Sequence, residues 1–143
     1  MQPIEPIELR SRREALGLSQ DALASLLDVK QVTISAWEKG TRTIPANISD
    51  ELAVPEGIVQ HLVEKALERM RQLLGEPLAL ITYVSDEDWG RANPEDSQWP
   101  VVLHRVAMAR ARAMLIAEAR KEEARKEEDA RPVAEDDCVI VQG

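Results

Sequence analysis

The chain has 143 residues, of which 44% are apolar, and it carries a formal net charge of −8 and a single cysteine, Cys138. Because it contains no Phe and only 3% aromatic residues, its core must consist of aliphatic side chains, which favours a mainly α fold, and the lone cysteine excludes an internal disulfide. The sequence shows neither a charged leader before an apolar segment nor an apolar run of about 18 residues, so we expect a cytoplasmic protein without a membrane span.

The negative charge is unevenly distributed along the chain. It argues at first against a nucleic-acid partner, because contacts to phosphates dominate DNA affinity. Residues 1–50, however, carry six basic and seven acidic residues, so nearly all of the excess lies beyond residue 50. A local DNA-binding face is therefore compatible with the composition, and binding as a symmetric dimer would compensate for its weak basicity.

A first helix is predicted from about Pro6, whose missing N–H costs nothing at a first helical position. Leu9, Arg13 and Leu16 follow at helical spacing and form one inward stripe. Gly17 supplies the left-handed residue that ends the helix.

A second helix follows at once, with Ser19 as a suitable N-cap. Its predicted buried face consists of Leu23, Ala24 and Leu27. Asp28 stands in the turn that follows, and Asp is among the few residues that tolerate a positive φ there.

A third helix is predicted over about Gln31–Lys39, and Gly40 is its stop signal. Val29 before it, and Ile34 and Trp37 within it, are expected in the core. An aromatic side chain near DNA could instead stack on a base, but the spacing of Trp37 from Ile34 favours burial. The opposite face consists of Val32, Ser35, Ala36 and Lys39.

These three predicted helices contain a characteristic set of residues. In chain order they are Arg13, Leu16-Gly17-Leu18-Ser19-Gln20, Leu23-Ala24, Val29, Thr33-Ile34-Ser35, Trp37-Glu38, Gly40 and Arg42. The set resembles the Xre family, the lambda/434/Cro-type helix-turn-helix of phage and bacterial repressors, over roughly residues 8–47. The resemblance implies a partly buried ion pair between Arg13 and Glu38 that locks the first helix to the third. It also implies that the third helix enters the DNA major groove.

The resemblance and the positions of the side chains suggest two kinds of DNA contact. Base edges would be read by Gln31, Val32, Ser35 and Ala36. Phosphates would be held by Lys30, Thr33, Lys39, Thr41 and Arg42, which set register without reading sequence. Gln20 resembles the family's phosphate-anchoring and network-forming glutamine. For each of these residues the alternative is a merely solvent-exposed side chain.

A long amphipathic helix is predicted from Pro55 to Leu74, with Gly75 as its stop. Its apolar face is too broad for a solitary surface helix, so it must pack against another element. The expected apolar residues are Ile58, Val59, Leu62, Val63, Ala66, Leu67, Met70, Leu73 and Leu74.

A strand is predicted over Leu78–Val84, and one strand cannot satisfy its own backbone groups. It could pair with residues 138–141 or with the same strand of a second subunit, and the second pairing makes a homodimer. Ser85 then caps a short helix, with acidic residues at its positive end and Trp89 as its anchor.

A final helix is predicted from Val101 to about Arg131, and its sequence turns charged and polar after Glu118. The acidic tail starts at Pro132. The expected packing stripe is Val102, Val106, Ala109, Ala113 and Ile116.

The second part of the chain resembles anti-CRISPR-associated repressors of the second type and YdiL-like proteins. This resemblance depends on element order and on a few residues, Asn93-Pro94-Glu95, Trp99 and His104-Arg105. It implies a dimeric autorepressor whose C-terminal region forms the dimer contact.

The sequence therefore predicts a lambda-repressor-like helix-turn-helix domain at 1–50, a helical dimerisation region with one β-strand at 51–131 and an acidic tail at 132–143. The predicted function is a homodimeric transcriptional repressor that dimerises through residues 55–116 and binds a palindromic operator in double-stranded DNA. The alternative is an antitoxin-type module that neutralises a protein partner and co-represses its operon. We expect neither a cofactor nor a metal, nor an enzyme, because no catalytic set and no phosphate-cradling glycine loop is present.

Overall fold

The computed structural model describes residues 3–72, 83 and 85–132, and all regular structure within them is helical. In chain order the helices are α1 (Pro6–Ala15), α2 (Gln20–Leu27), α3 (Gln31–Lys39), α4 (Ile48–Gln72), α5 (Asp86–Ala92) and α6 (Val101–Ala130), with a 3-10 turn at Pro94–Asp96. The mainly α class is confirmed for this part of the chain. The predicted strand at Leu78–Val84, apart from Tyr83, and the tail beyond Pro132 lie outside the described residues.

The first three helices lie where they were predicted, and the residues expected to cap or stop them are in place. The Ser19 hydroxyl accepts a hydrogen bond from the Ala22 amide at 3.0 Å and so caps α2. Asp28 ends α2 in the left-handed conformation, with φ 55° and ψ 46°. Gly17 and Gly40, with φ of 73° and 76°, end α1 and α3 in the same region, which glycine enters without strain.

The core between α1, α2 and α3 is aliphatic with one indole. Its most deeply buried side chains are Leu9, Leu16, Leu23 and Ile34. Trp37 is only 4% exposed, so its predicted place in the core is confirmed. Leu27 and Val29 are half-buried, and the prediction that both are core residues is wrong. They flank the turn at Asp28, where the packed interior gives way to the surface.

The fourth helix begins at Ile48, not at Pro55 as predicted, and Pro55 lies buried inside it. The apolar period extends upstream of the proline through Leu52, which is fully buried. The Glu51 amide donates to the Asn47 carbonyl at 3.0 Å, so a helical turn is already closed before Pro55. Proline tends to mark a helix start because it lacks an N–H, and here burial of the preceding turn overrides that tendency.

The described part of α4 buries most of the predicted apolar face. Its buried residues beyond the proline are Val59, Leu62, Val63, Ala66 and Leu67. Ile58 and Met70 are half-buried at the edges of this face. Leu73, Leu74 and Gly75 lie outside the described residues.

Two side chains bond to backbone amides at the N-termini of α5 and α6. The Ser85 hydroxyl accepts from the Asp88 amide at 3.1 Å, which confirms the predicted cap of α5. The Asp86 carboxylate accepts from the Val101 amide at 2.7 Å and so serves the start of α6. Trp89 is 2% exposed and anchors α5, as predicted.

The buried stripe of α6 differs from the predicted one. Leu103, His104, Ala107 and Ala111 are buried, whereas Ala109 and Ala113 are exposed and the other predicted members, Val102, Val106 and Ile116, are only half-buried. The predicted and the observed buried residues both repeat at a spacing of three to four residues along α6. Periodicity alone does not show which of two neighbouring faces of a helix is buried.

The chain divides into two compact units, residues 1–111 and 112–143, with the division inside α6. In the first unit the Arg110 guanidinium donates to the Ala15 carbonyl at 2.6 Å. In the second, the side chains of α6 are mostly exposed, and Arg125 pairs with Glu122 at 2.7 Å. The predicted domains 1–50, 51–131 and 132–143 remain predictions.

Candidate nucleic-acid interface

The outward face of α3 exposes fewer side chains than predicted. Val32 is 66% exposed, and Lys39 is also exposed. Ser35 and Ala36 were expected to be equally exposed but are half-buried. The chain after α3 folds back at this turn, where the Thr41 amide and hydroxyl donate to the Ala36 carbonyl at 3.0 and 3.2 Å. Val32 is therefore the apolar side chain of α3 that is fully available to contact DNA.

Arg13 and Glu38 form the ion pair that the resemblance implies. Arg13 Nε donates to Glu38 Oε2 at 2.7 Å, and Nη2 donates to Oε1 at 2.8 Å. The side chains are 11% and 5% exposed. Arg13 Nη1 also donates to the Leu18 carbonyl at 2.9 Å. This fork-to-fork geometry fixes the direction of α3 relative to α1.

A chain of hydrogen bonds runs from this pair to the predicted base-reading surface. Gln20 Nε2 donates to Glu38 Oε1 at 3.3 Å, and Gln31 Nε2 donates to Gln20 Oε1 at 2.7 Å. Gln20 and Gln31 are both half-buried. The network places two glutamines from different helices side by side, with their amides already oriented.

The electrostatics of Glu38 follow from the same contacts. Burial alone would raise the pKa of its carboxyl, but the hydrogen bonds from Arg13 and Gln20 outweigh burial and lower the pKa below its ordinary value. The hydrogen bond to Glu38 in turn raises the pKa of the Arg13 guanidinium. The pair is therefore fully charged at neutral pH.

The predicted phosphate contacts lie at the two ends of α3. Lys30 is the exposed N-cap residue, and Lys39 is exposed in the last turn. Arg42, in the following loop, is exposed and lies 3.5 Å from the Thr33 hydroxyl through Nη1. Lys30 therefore lies before α3, Lys39 lies in its last turn, and Arg42 lies in the loop beyond it.

One contact of this region was missed from the sequence. Arg12, the neighbour of Arg13 on α1, bonds Glu56 and Ser49 on α4 through its guanidinium. The partners lie 44 and 37 residues away, and no repeat or motif links them. Only the folded chain brings these groups together.

Residues 9–53 match the family model described as helix-turn-helix. The match covers α1 from Leu9 onward, α2, α3 and the start of α4, and it supports a DNA-binding transcription regulator. This helix-turn-helix module contains every residue that we predicted to contact DNA. The second resemblance, in residues 93–105, lies beyond the match and stays a prediction. A search of curated proteins gives no significant match to the chain.

Residues 3–72, 83 and 85–132 contain no group of three or more His, Cys, Asp or Glu side chains placed to hold a metal ion. None of the helices described there has the length and apolar content needed to cross a membrane.

Proposed function

We propose that the protein is a sequence-specific transcriptional repressor that binds, as a homodimer, an inverted repeat near its own promoter. The observation that carries this proposal is the hydrogen-bonded series Arg13–Glu38–Gln20–Gln31, which ends beside the exposed Val32 at the start of α3. A rigid glutamine next to an exposed valine suits an A·T-containing site, since Gln bonds adenine and Val contacts the thymine methyl. The antitoxin-type alternative is not favoured by the helix-turn-helix match.

Each group of side chains has a role in the proposed complex. Gln31 and Val32 contact base edges, with Ser35 and Ala36 at the margin of the contact. The residues that hold phosphates are Gln20, Lys30, Thr33, Lys39, Thr41 and Arg42. Repression then needs no ligand, because occupation of the promoter by the protein excludes the polymerase.

The proposed dimer forms through residues 55–116. It would place two α3 helices about 34–36 Å apart, to match successive major grooves on one side of the duplex. The modest number of basic side chains near α3 supports two-fold binding, because a second copy doubles the phosphate contacts on one operator.

Selection of bound duplexes from a random pool, with the full chain, tests this function. We expect enrichment of two inverted half-sites with a regular spacing. Val32→Glu places a carboxylate on the proposed contact surface and should abolish enrichment. Val54→Glu is the matched control, since Val54 is 54% exposed on α4 and lies outside that surface. Enrichment by Val32→Glu equal to the parent's would contradict the assigned surface, and a single half-site would contradict the dimer.

A further inference from the structure

Two adjacent arginines of α1 reach two different helices. Arg13 bonds Glu38 on α3, and Arg12 bonds α4. Helices α3 and α4 are therefore each tied to α1 by a guanidinium. A role for Arg12 in DNA binding rests on the proposed function.

The Arg12 guanidinium uses all three of its nitrogens on α4. Nε and Nη2 donate to the two Glu56 carboxylate oxygens at 3.0 and 2.5 Å. Nη1 donates to the Ser49 hydroxyl at 2.9 Å, and Nη2 to the Ser49 carbonyl at 3.1 Å. Arg12 is 21% exposed and Glu56 is 35% exposed, so solvent screens this contact only in part. We call these three residues the α1–α4 clamp.

The clamp fixes one end of the loop at residues 41–47, which carries Thr41 and Arg42. The other end is fixed by α3, because the Thr41 amide donates to the Ala36 carbonyl at 3.0 Å. Ile44, in the middle, is 8% exposed and anchors the loop in the interior. Ser49 lies just past the loop, in the first turn of α4. Because the loop is this short and is held at both ends, a shift of α4 along α1 would strain the segment that carries Arg42.

We infer that Arg12 is a positioning residue for DNA binding, which acts through Ser49 and Glu56 to hold the loop at residues 41–47 against the DNA backbone. Arg13 and the glutamine network orient the base-reading side chains, whereas Arg12 orients the phosphate contact of Arg42. Loss of the clamp should weaken binding to every sequence by the same factor, because phosphates carry no sequence information.

The first test compares Arg12→Met with Arg10→Met. Both remove one positive charge from α1, and Arg10 pairs with its helical neighbour Glu14 at an exposed site. For Arg12→Met we expect a loss of about tenfold in affinity for both the selected operator and an unrelated duplex. The slope of log affinity against log salt concentration should become shallower by about the amount that one lost phosphate contact produces. Arg10→Met should change both quantities far less.

Glu56→Gln separates positioning from charge. This variant removes a negative charge and keeps Arg12, so general electrostatics would strengthen DNA binding. A positioning role predicts the opposite, a loss in the same direction as that of Arg12→Met. Affinity equal to or above the parent's would overturn the inference. A drop in the ratio of operator to unrelated-duplex affinity would also overturn it, because the clamp would then act on base reading.

Hydrogen exchange on the DNA-free protein gives an independent readout. In Glu56→Gln and Arg12→Met, the amides of the loop at residues 41–47 should exchange faster, while those of α3 keep their protection. Unchanged exchange in the loop would contradict the clamp itself. A parent protein that binds no duplex would contradict the proposed function, and exchange in the loop would still decide whether Arg12 holds it in place.

Discussion

At the scale of single residues, the Arg13–Glu38 pair is the contact on which the module depends most. Both side chains are almost fully buried, and each satisfies the charge of the other. Removing one partner of such a pair leaves a largely buried charge without its counter-ion. We expect Arg13→Met to lower the free energy of unfolding by about 3–5 kcal/mol, measured by urea denaturation.

The double variant Arg13→Met/Glu38→Met is the control for this prediction. It leaves no buried charge, so it should be more stable than Arg13→Met alone. Equal stability of the two variants would mean that the stranded carboxylate is not the source of the loss.

Gln31→Ala tests base reading by the glutamine network. The variant should weaken binding to the preferred site by about 1–3 kcal/mol while sparing random DNA. Binding curves on both duplexes measure the difference. Ser11→Ala, which removes an exposed hydroxyl from α1 outside the assigned DNA contacts and the proposed dimer region, is the control and should bind as the parent does. An equal loss on both duplexes would remove Gln31 from base reading.

Sequence reasoning reached some of these residues and not others, for a physical reason. Arg13 and Glu38 could be paired because a familiar set of residues surrounds both. Arg12 stands beside Arg13 and carries the same side chain, but its partners come from α4, whose start was placed too late. A polar contact between distant elements is visible in a sequence only when a pattern already relates the elements.

At the scale of elements, α6 lies close against the corner between α1 and α2. A Cβ placed on Gly17 would come within 2.9 Å of a methyl carbon of both Val102 and Val106, and the φ of Gly17 is 73°. Gly17→Ala should therefore destabilise the protein by at least about 1–2 kcal/mol from the backbone alone, with the clash in addition. Thermal or urea unfolding measures the loss.

Gly57→Ala is the matched control for Gly17. Gly57 lies inside α4, and a Cβ there would meet nothing within 4 Å. Alanine should stabilise this helical position by about 0.5–1 kcal/mol. Gly17→Ala as stable as the parent would show that α6 does not press on this corner.

His104 of α6 should make the free energy of unfolding depend on pH. Its ring lies against Trp89 and Tyr83, with centroids 4.6 and 5.5 Å away. Among the residues that the structure describes, its buried Nδ1 has no hydrogen-bond partner. Burial lowers the pKa of the imidazole below its ordinary value. The unfolded chain thus takes up the proton first, so stability is present above about pH 6.5 and is lost as the pH falls through the lowered pKa.

The measurement is the free energy of unfolding between about pH 7.5 and pH 5. His104→Phe, which cannot take up a proton, should lose less stability over this range than the parent. His61→Gln removes an exposed histidine and should behave as the parent does. A loss in His104→Phe equal to the parent's would contradict a role for His104.

Elements were predictable where a cap defined them, and less so where only periodicity did. Ser19, Asp28 and Gly40 each have a local preference that tertiary contacts reinforce. The start of α4 and the buried stripe of α6 depend on what packs against them. Those partners come from distant parts of the chain, and local preference does not name them.

At the scale of the whole molecule, the proposed dimer can be measured directly. We expect sedimentation equilibrium to give twice the mass of one chain at micromolar concentration, both free and on a two-half-site duplex. The physical reason is that a chain with a net charge of −8 gains specific affinity mainly by doubling its contacts. A single chain bound to one half-site with the full affinity would contradict the prediction.

The packing of Val102 and Val106 over Gly17 also bears on how the chain can be divided. The family match ends at residue 53, whereas the first compact unit extends to residue 111. A fragment cut to the limits of the match would remove Val102 and Val106 from this corner and lose the Arg110 contact to the end of α1. A shortened domain that ends at residue 53 should therefore be less stable and more prone to aggregation than the longer chain. Fusions or tags are better joined beyond residue 111.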